Sequence, residues 1–240
     1  MTVMKESSVQ LLYLGHSPYC QTAAIALAAK GVPFTIIHED MKKKSQLLLE
    51  ANPVHKKVPV LIHNGKPVSE SRVILQYIDE VWPTGYLGDG DRDSLFPDTA
   101  YERAQARFWM DFIFQKVATN LSHLVRGTDS EVDKKAFEEN MGVLNSAIIQ
   151  CSKGEKPFFF GKTIGAVDIV FAPFTSWFSS FEKFIDLKLP SSTEAPRLHE
   201  WITAITQHPI IKPVLTDPGR AEDKAKAYRA DKHYFDNTVR

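Results

Sequence analysis

Residues 52–71, NPVHKKVPVLIHNGKPVSES, constrain the fold of this chain more than any other stretch. Two short β-type runs, 58–62 and 66–68, flank His63-Asn64-Gly65. Asn-Gly suits a two-residue hairpin, because both central positions then take positive φ at little cost. Beyond Ser69-Glu70-Ser71, the residues Val73, Ile74, Tyr77, Ile78 and Val81 recur at helical spacing. Glu70 and Ser71 therefore stand at a helix entrance, where unpaired N–H groups and the helix dipole favour an anion. Two readings of Ser71 stand at this point: an N-cap for the helix, or a hydroxyl that contacts a ligand carboxylate.

Pro59 opens an apolar strand, a position where a missing N–H donor is poorly tolerated unless the backbone has a special geometry. Trans is the ordinary state of an X-Pro bond. A cis Val58-Pro59 bond would instead turn the Val58 N–H and C=O outward, to pair with a peptide ligand as a strand does. The N-terminal segment weighs toward cis. Residues 9–14 form an apolar, strand-like run, followed by Gly15-His16-Ser17-Pro18-Tyr19-Cys20 and an Ala-rich helical run over 23–29. Pro18 suits a first helical turn, Gly31 a helix stop, and 34–37 the next strand. The order βαβ, short helix, ββα, with Ser17 before the first helix and a proline-led strand later, is the thioredoxin-like arrangement.

After Trp82 the pattern changes. Residues 83–98 are rich in Gly, Asp and Pro and read as a linker. Helical patterns follow over 101–124, 131–150, 168–181 and 196–207, with a short piece at 209–215. The charged stretch 221–240 reads as a helical or loose tail with no assigned function. The expected division is a domain over 1–83, a linker over 84–98, a helical domain over 99–220 and the tail. Lys plus Arg and Asp plus Glu both total 29, so the formal charge is zero and gives no electrostatic case for nucleic acid or an acidic membrane. Two cysteines in 240 residues argue against a disulfide-stapled secreted fold. No apolar run approaches the ~20 residues of a membrane span, and the N-terminus lacks the apolar core of a signal peptide. A cytoplasmic enzyme is the expectation.

The chain resembles the tau class of glutathione transferases, a plant group. The resemblance is carried by Ser17-Pro18-Tyr19, Lys44-Ser45, the block from Asn52 to Val68, Glu70-Ser71, and Gln76-Tyr77-Ile78-Asp79-Glu80-Val81-Trp82. It continues in Arg103-Ala104-Gln105-Ala106-Arg107-Phe108-Trp109 and Val167-Asp168-Ile169. It implies a thioredoxin-like α/β domain followed by an all-helical domain, a homodimer, and glutathione as co-substrate with no metal. It also implies an apolar electrophile as second substrate. Ser17 would donate its hydroxyl to the glutathione thiolate; its other reading is a simple cap for the first helix. Lowering the pKa of a cysteine-like thiol by about 2 units takes roughly 2.7 kcal/mol of preferential thiolate binding, within reach of a charge-assisted hydrogen bond and a helix dipole.

By the same resemblance Lys44 would meet the glycyl carboxylate and Val58 would pair with the cysteinyl backbone. Glu70 would hold the γ-glutamyl ammonium, and Ser71 the adjacent carboxylate. Lys42, Lys43, Lys56 and Lys57 read as a solvated basic surface. Leu14, His16, Phe112, Lys116 and Trp177 are the candidates to line the second-substrate pocket, with simple core packing as the competing reading for the aromatics. Pro59 and Asp168 are read as structural. Asp168 would form half of a helix capping box, because Gly165 stands where related chains carry Ser or Thr. Arg103 and Arg107 are candidates for ion pairs across the dimer.

Two departures bear on activity. Thr22 and Ala24 replace arginines common in the class, which would weaken turnover if those arginines hold the catalytic loop. Ser17-Pro18-Tyr19-Cys20 is also a Cys-x-x-Cys turn with its first cysteine replaced, so thiol reductase chemistry through Cys20 is one alternative. A weakly active ligand-binding carrier is another.

Overall fold

A computed structural model describes residues 8–84, 93–126 and 131–230. The expected linker and tail fall partly outside these. The first half runs β1 (Val9–Tyr13), α1 (Pro18–Ala29), β2 (Thr35–His38), α2 (Gln46–Ala51), β3 (Val60–His63), β4 (Lys66–Ser69) and α3 (Ser71–Val81). The sheet order is β2-β1-β3-β4, with β1 and β2 parallel and the other neighbours antiparallel. Side-chain alternation assigns each face. Leu11 and Leu61 point into the main core with α1, whereas Leu12, Val60 and Ile62 form a smaller core with Met41 and Leu48. The hairpin turns at Asn64 and Gly65, both at positive φ, as its sequence requires.

Helix α1 ends in a Schellman turn. The Gly31 N–H bonds Ala28 O, the Val32 N–H bonds Leu27 O, and Gly31 takes φ +61. Nearly every side chain of α1 is buried, because the helix lies between α3 on one side and the helical domain on the other.

The second half comprises α4 (Ala100–Phe112), a π-type segment Ile113–Val117, α5 (Ala118–Val125), α6 (Glu131–Cys151), α7 (Ala166–Thr175), α8 (Phe178–Ile185), α9 (Pro196–Gln207) and α10 (Pro218–Ala230). Four expectations need correction. The helix expected over 168–181 is two helices, broken at Ser176-Trp177 just beyond Pro173. Residues 209–215 are turns rather than a helix. The far end of the expected linker is core: Leu95 and Phe96 are buried, and the Asp79 carboxylate receives both the Leu95 N–H at 2.7 Å and the Lys30 ammonium at 2.8 Å. Finally, Glu70 and not Ser71 occupies the N-cap of α3, because the chain turns at Glu70 with φ 75 and the helix begins one residue earlier.

Asp168 is fully buried at the start of α7. Its carboxylate accepts from the Gly165 N–H at 2.7 Å, the Phe159 N–H at 2.9 Å and the Trp201 indole N–H at 2.5 Å. The half of the capping box that Gly165 cannot supply is thus offset by contacts to two other segments. Trp201 in turn stacks on Phe171 with ring centroids 4.4 Å apart. Asp168→Ala leaves these donors without their acceptor, at about 1–3 kcal/mol each. A loss of about 3 kcal/mol or more in urea unfolding is expected, and an unchanged midpoint would contradict this role.

Candidate functional site

The loop between β1 and α1 delivers Ser17. Its backbone is extended at φ −82, ψ 118, its N–H bonds Leu14 O at 2.9 Å, and its Oγ accepts from the Cys20 N–H at 3.4 Å. Ser17 is therefore the cap of α1, and its hydroxyl also lies within hydrogen-bonding reach of the Cys20 thiol. The cap and donor readings are compatible in one side chain, since a hydroxyl accepts and donates at once. Gln21, overlooked in the sequence, ties the loop down: its Nε2 donates to Gly15 O at 3.1 Å and to Thr216 Oγ1 at 2.5 Å.

Across the groove the Val58-Pro59 peptide is cis. The segment before it is organised by Asn52, whose Nδ2 donates to Lys57 O at 2.9 Å and whose Oδ1 accepts from the His55 N–H at 3.2 Å. Ser45 caps α2 and bonds Glu39 Oε1 at 2.6 Å, which anchors the chain beside Lys44. Burial, then the ammonium groups of Lys56 and Lys57, pull the Lys44 pKa down. Lys56 and Lys57 are exposed, in keeping with a solvated basic surface, and Lys57 also borders the cleft. At the opposite edge stands Glu70, its side chain 60 % exposed and 3.8 Å from the His55 ring. A non-glycine residue at φ 75, ψ 117 is strained, a condition that concentrates at ligand sites. Ser71 is buried behind it in the first turn of α3, whose leading N–H groups have no intrahelical acceptor.

Between the two halves lies a cleft of about 230 Å³. Leu14, His16, Ser17, Val58 and Trp177 line it. Phe112 and Lys116 do not. Phe112 packs edge-on against Trp109 at 5.5 Å and Lys116 is exposed, because the wider turns at Ile113–Val117 shift the helix register and bring Leu121, Ser122 and Val125 to the cleft. Residues missed in the sequence are Tyr19, Phe174, Phe181 and Tyr228. Phe174, Trp177 and Phe181 do recur at i, i+3 and i+7. Ala221, Ala225 and Tyr228, all buried, mark an inward face on the stretch read as a charged tail. That tail forms part of the site: Tyr228 stacks on Trp177 at 6.2 Å, and Arg229 Nη1 donates to Leu124 O at 3.0 Å.

His16 Nε2 and Trp177 Nε1 are buried and without partners among the described residues, in a cleft whose walls are otherwise mostly apolar. Burial first, then the Lys224 charge, lowers the His16 pKa to about 4, so its ring is neutral at pH 7 and a feeble base. Cys20 is fully buried, and burial pushes its thiol up to about 12. Disulfide exchange needs an accessible thiolate, so the reductase alternative fails at this residue. Arg103 and Arg107, expected at a dimer interface, contact Asp98 O and Gln76 Oε1 within the chain.

Glutathione S-transferase N-terminal and C-terminal domain models match residues 7–80 and 132–204. Fold and site together define the chain as a member of the glutathione S-transferase family. It falls in the tau class. It is 40% identical over 219 residues to glutathione S-transferase U19 of Arabidopsis thaliana, covering 90% of this chain and 94% of that one. A probable glutathione S-transferase, GSTU6 of rice, is 41% identical over 197 residues, 80% of this chain and 82% of that one. The crystal structure of a tau-class enzyme from mango superposes with a TM-score of 0.83 at 36% identity, over 92% of this chain and 98% of the other. Rice GST1 in complex with glutathione gives 0.81 at 35%, over 94% and 98%. Among the described residues no helix is long and apolar enough to cross a membrane, and no group of three or more His, Cys, Asp or Glu is placed to hold a metal.

The depressed His16 pKa sets a pH dependence. On acidification the unfolded chain takes up the proton first, so the contribution of His16 is complete above pH 6.5 and is lost as pH falls toward 4. Urea midpoints should drop over that window in the native chain and drop less in His16→Gln. Equal slopes would exclude His16 as a source.

Proposed function

We propose that this chain conjugates the thiolate of glutathione to apolar electrophiles, a detoxification-type reaction, with the Ser17 hydroxyl donating a hydrogen bond to that thiolate. The observation that carries the reading is the place of Ser17: its hydroxyl lines the cleft at the N-terminus of α1, with its oxygen held by the helix cap. A sulfur placed there also meets the positive end of α1. The flanking charges suit the two ends of the tripeptide. Lys44, with Lys57 beside it, would take the glycyl carboxylate; burial first and then the neighbouring ammonium groups lower its pKa, and an anion there would favour its charged form. Val58 supplies backbone groups to the cysteinyl unit. Glu70 would pair with the γ-glutamyl ammonium, and Ser71 with the open N–H groups of α3 would hold the adjacent carboxylate.

The electrophile occupies the apolar cleft against Leu14 and Trp177. The unpaired Trp177 N–H favours an electrophile that carries an oxygen acceptor, since burial of that donor is otherwise uncompensated. The carrier alternative rested on the lost arginines. Thr22 and Ala24 are instead buried, Thr22 bonding Pro18 O at 3.0 Å, and Gln21 holds the loop.

Conjugation to a chlorodinitrobenzene-type substrate tests the reading. Ser17→Ala should lower kcat/KM about 10²-fold and return the bound thiol pKa toward ~8.5. Lys44→Ala should raise the KM for glutathione about tenfold or more, with kcat nearly unchanged. A native chain that binds glutathione yet shows no turnover sensitive to Ser17→Ala is a carrier.

We further propose a cytoplasmic homodimer. Both cysteines are free, as in a reducing compartment. Val54, Tyr101 and Phe108 are exposed at 80%, 74% and 57%, apolar side chains that a second copy of the chain would cover. Light scattering should give twice the chain mass, and a monomer would refute the assembly.

A further inference from the structure

A second cavity, of about 330 Å³, lies in the helical domain behind the cleft. Its walls come from α6, α8, α9 and the chain after α8, with Phe137, Phe178, Leu187 and Leu189 as the apolar part. Phe181 lines both cavities, and no other residue does. It lies on α8 and is 3 % exposed. Its backbone is held on both sides: the N–H bonds Trp177 O at 3.1 Å, and the carbonyl receives the Leu187 N–H at 3.4 Å. The ring is thus the adjustable part of the partition.

We propose that Phe181 sets the depth of the electrophile site, and that the cavity behind it receives the distal part of electrophiles with long unbranched apolar tails. This rests on the transferase reading of the cleft. Size decides in its favour. At about 230 Å³ the cleft falls below the ~300–1,000 Å³ usual for small-molecule sites, whereas the two cavities joined fall well inside that range. The composition agrees. Phe174 and Leu121 line the cleft with Phe181, Phe137 and Leu187 line the second cavity with it, and the polar members of that cavity are Ser179, Glu182, Lys188 and His199. An alkyl chain passing Phe181 therefore meets apolar side chains on both sides of the partition. His199 fixes the outer wall, its Nε2 lying 2.7 Å from Pro190 O.

Alk-2-enals from hexenal to dodecenal are suitable probes. In each, the glutathione sulfur bonds to the β-carbon, the alkene π pair moves to the carbonyl-conjugated α-carbon, and solvent protonates it, so only tail length varies. The readout is the kcat/KM ratio of dodecenal to hexenal, which is independent of overall losses in activity. Phe181→Ala should raise this ratio about tenfold and Phe181→Trp should lower it. Leu189→Trp, a residue of the second cavity and not of the cleft, should reverse the gain when added to Phe181→Ala. Phe181→Leu, a milder change, should move the ratio the same way and serves if the alanine variant does not fold.

A ratio unchanged within twofold in the folded variants overturns the partition. If the native chain conjugates neither an enal nor the chlorodinitrobenzene-type substrate, the transferase reading has failed instead. The partition is then read from calorimetric binding of hexanol through dodecanol. A length preference that shifts to longer alcohols in Phe181→Ala supports it, and one that does not shift overturns it.

Discussion

The burial of α1 on nearly all sides is the constraint from which the rest of the arrangement follows. A helix of Ala, Ile and Leu with almost no polar face has to be covered by both a sheet layer and a second helical layer. The covering elements are α3 within the first domain and α7 in the second, so the two domains share one continuous core. Ser17, at the N-terminus of that helix, is thereby fixed at the seam where a cleft can form. The small residues at 22 and 24 belong to this packing. Both are buried, and a charged side chain there would need its own partner inside the core.

The seam is also where charge is arranged. One edge of the groove gathers the ammonium groups of Lys44, Lys56 and Lys57, and the other carries Glu70 and the open end of α3. Ser17 and the backbone at Val58 lie between them. The strained backbone of Glu70 sets its side chain at the mouth of α3. Such preorganisation separates a site that recognises a zwitterionic peptide from a merely basic surface.

Local chemistry accounts for which parts were legible. The Asn64-Gly65 hairpin, the Ser17-Pro18 helix entrance and the Gly31 stop each depend on the φ preferences of one or two residues, and each is present. The structural reading of Asp168 agrees with its burial, although its acceptors' partners, Phe159 and Trp201, lie too far along the chain for a local motif to reveal. The placing of Phe112 and Lys116 in the cleft rested on the family resemblance, and the π-type turns that follow Phe112 change which side chains face inward. Residues 93–98 read as linker because their Pro and Asp content is that of a loop. The Asp79–Lys30 pair that pins their backbone is a long-range contact.

The sequence by itself determined the element order of the first domain, the helix entrance at Ser17, the hairpin and the family, because each rests on residue identity and short spacing. Only the tertiary structure decided the walls of the cleft. Tyr228 arrives from a stretch whose composition is that of a charged tail, Phe181 acts as a partition because a second cavity lies behind it, and Gln21 reaches Thr216 across most of the chain. Those roles follow from packing between distant segments, where volume and burial, rather than local backbone preference, select which atoms meet.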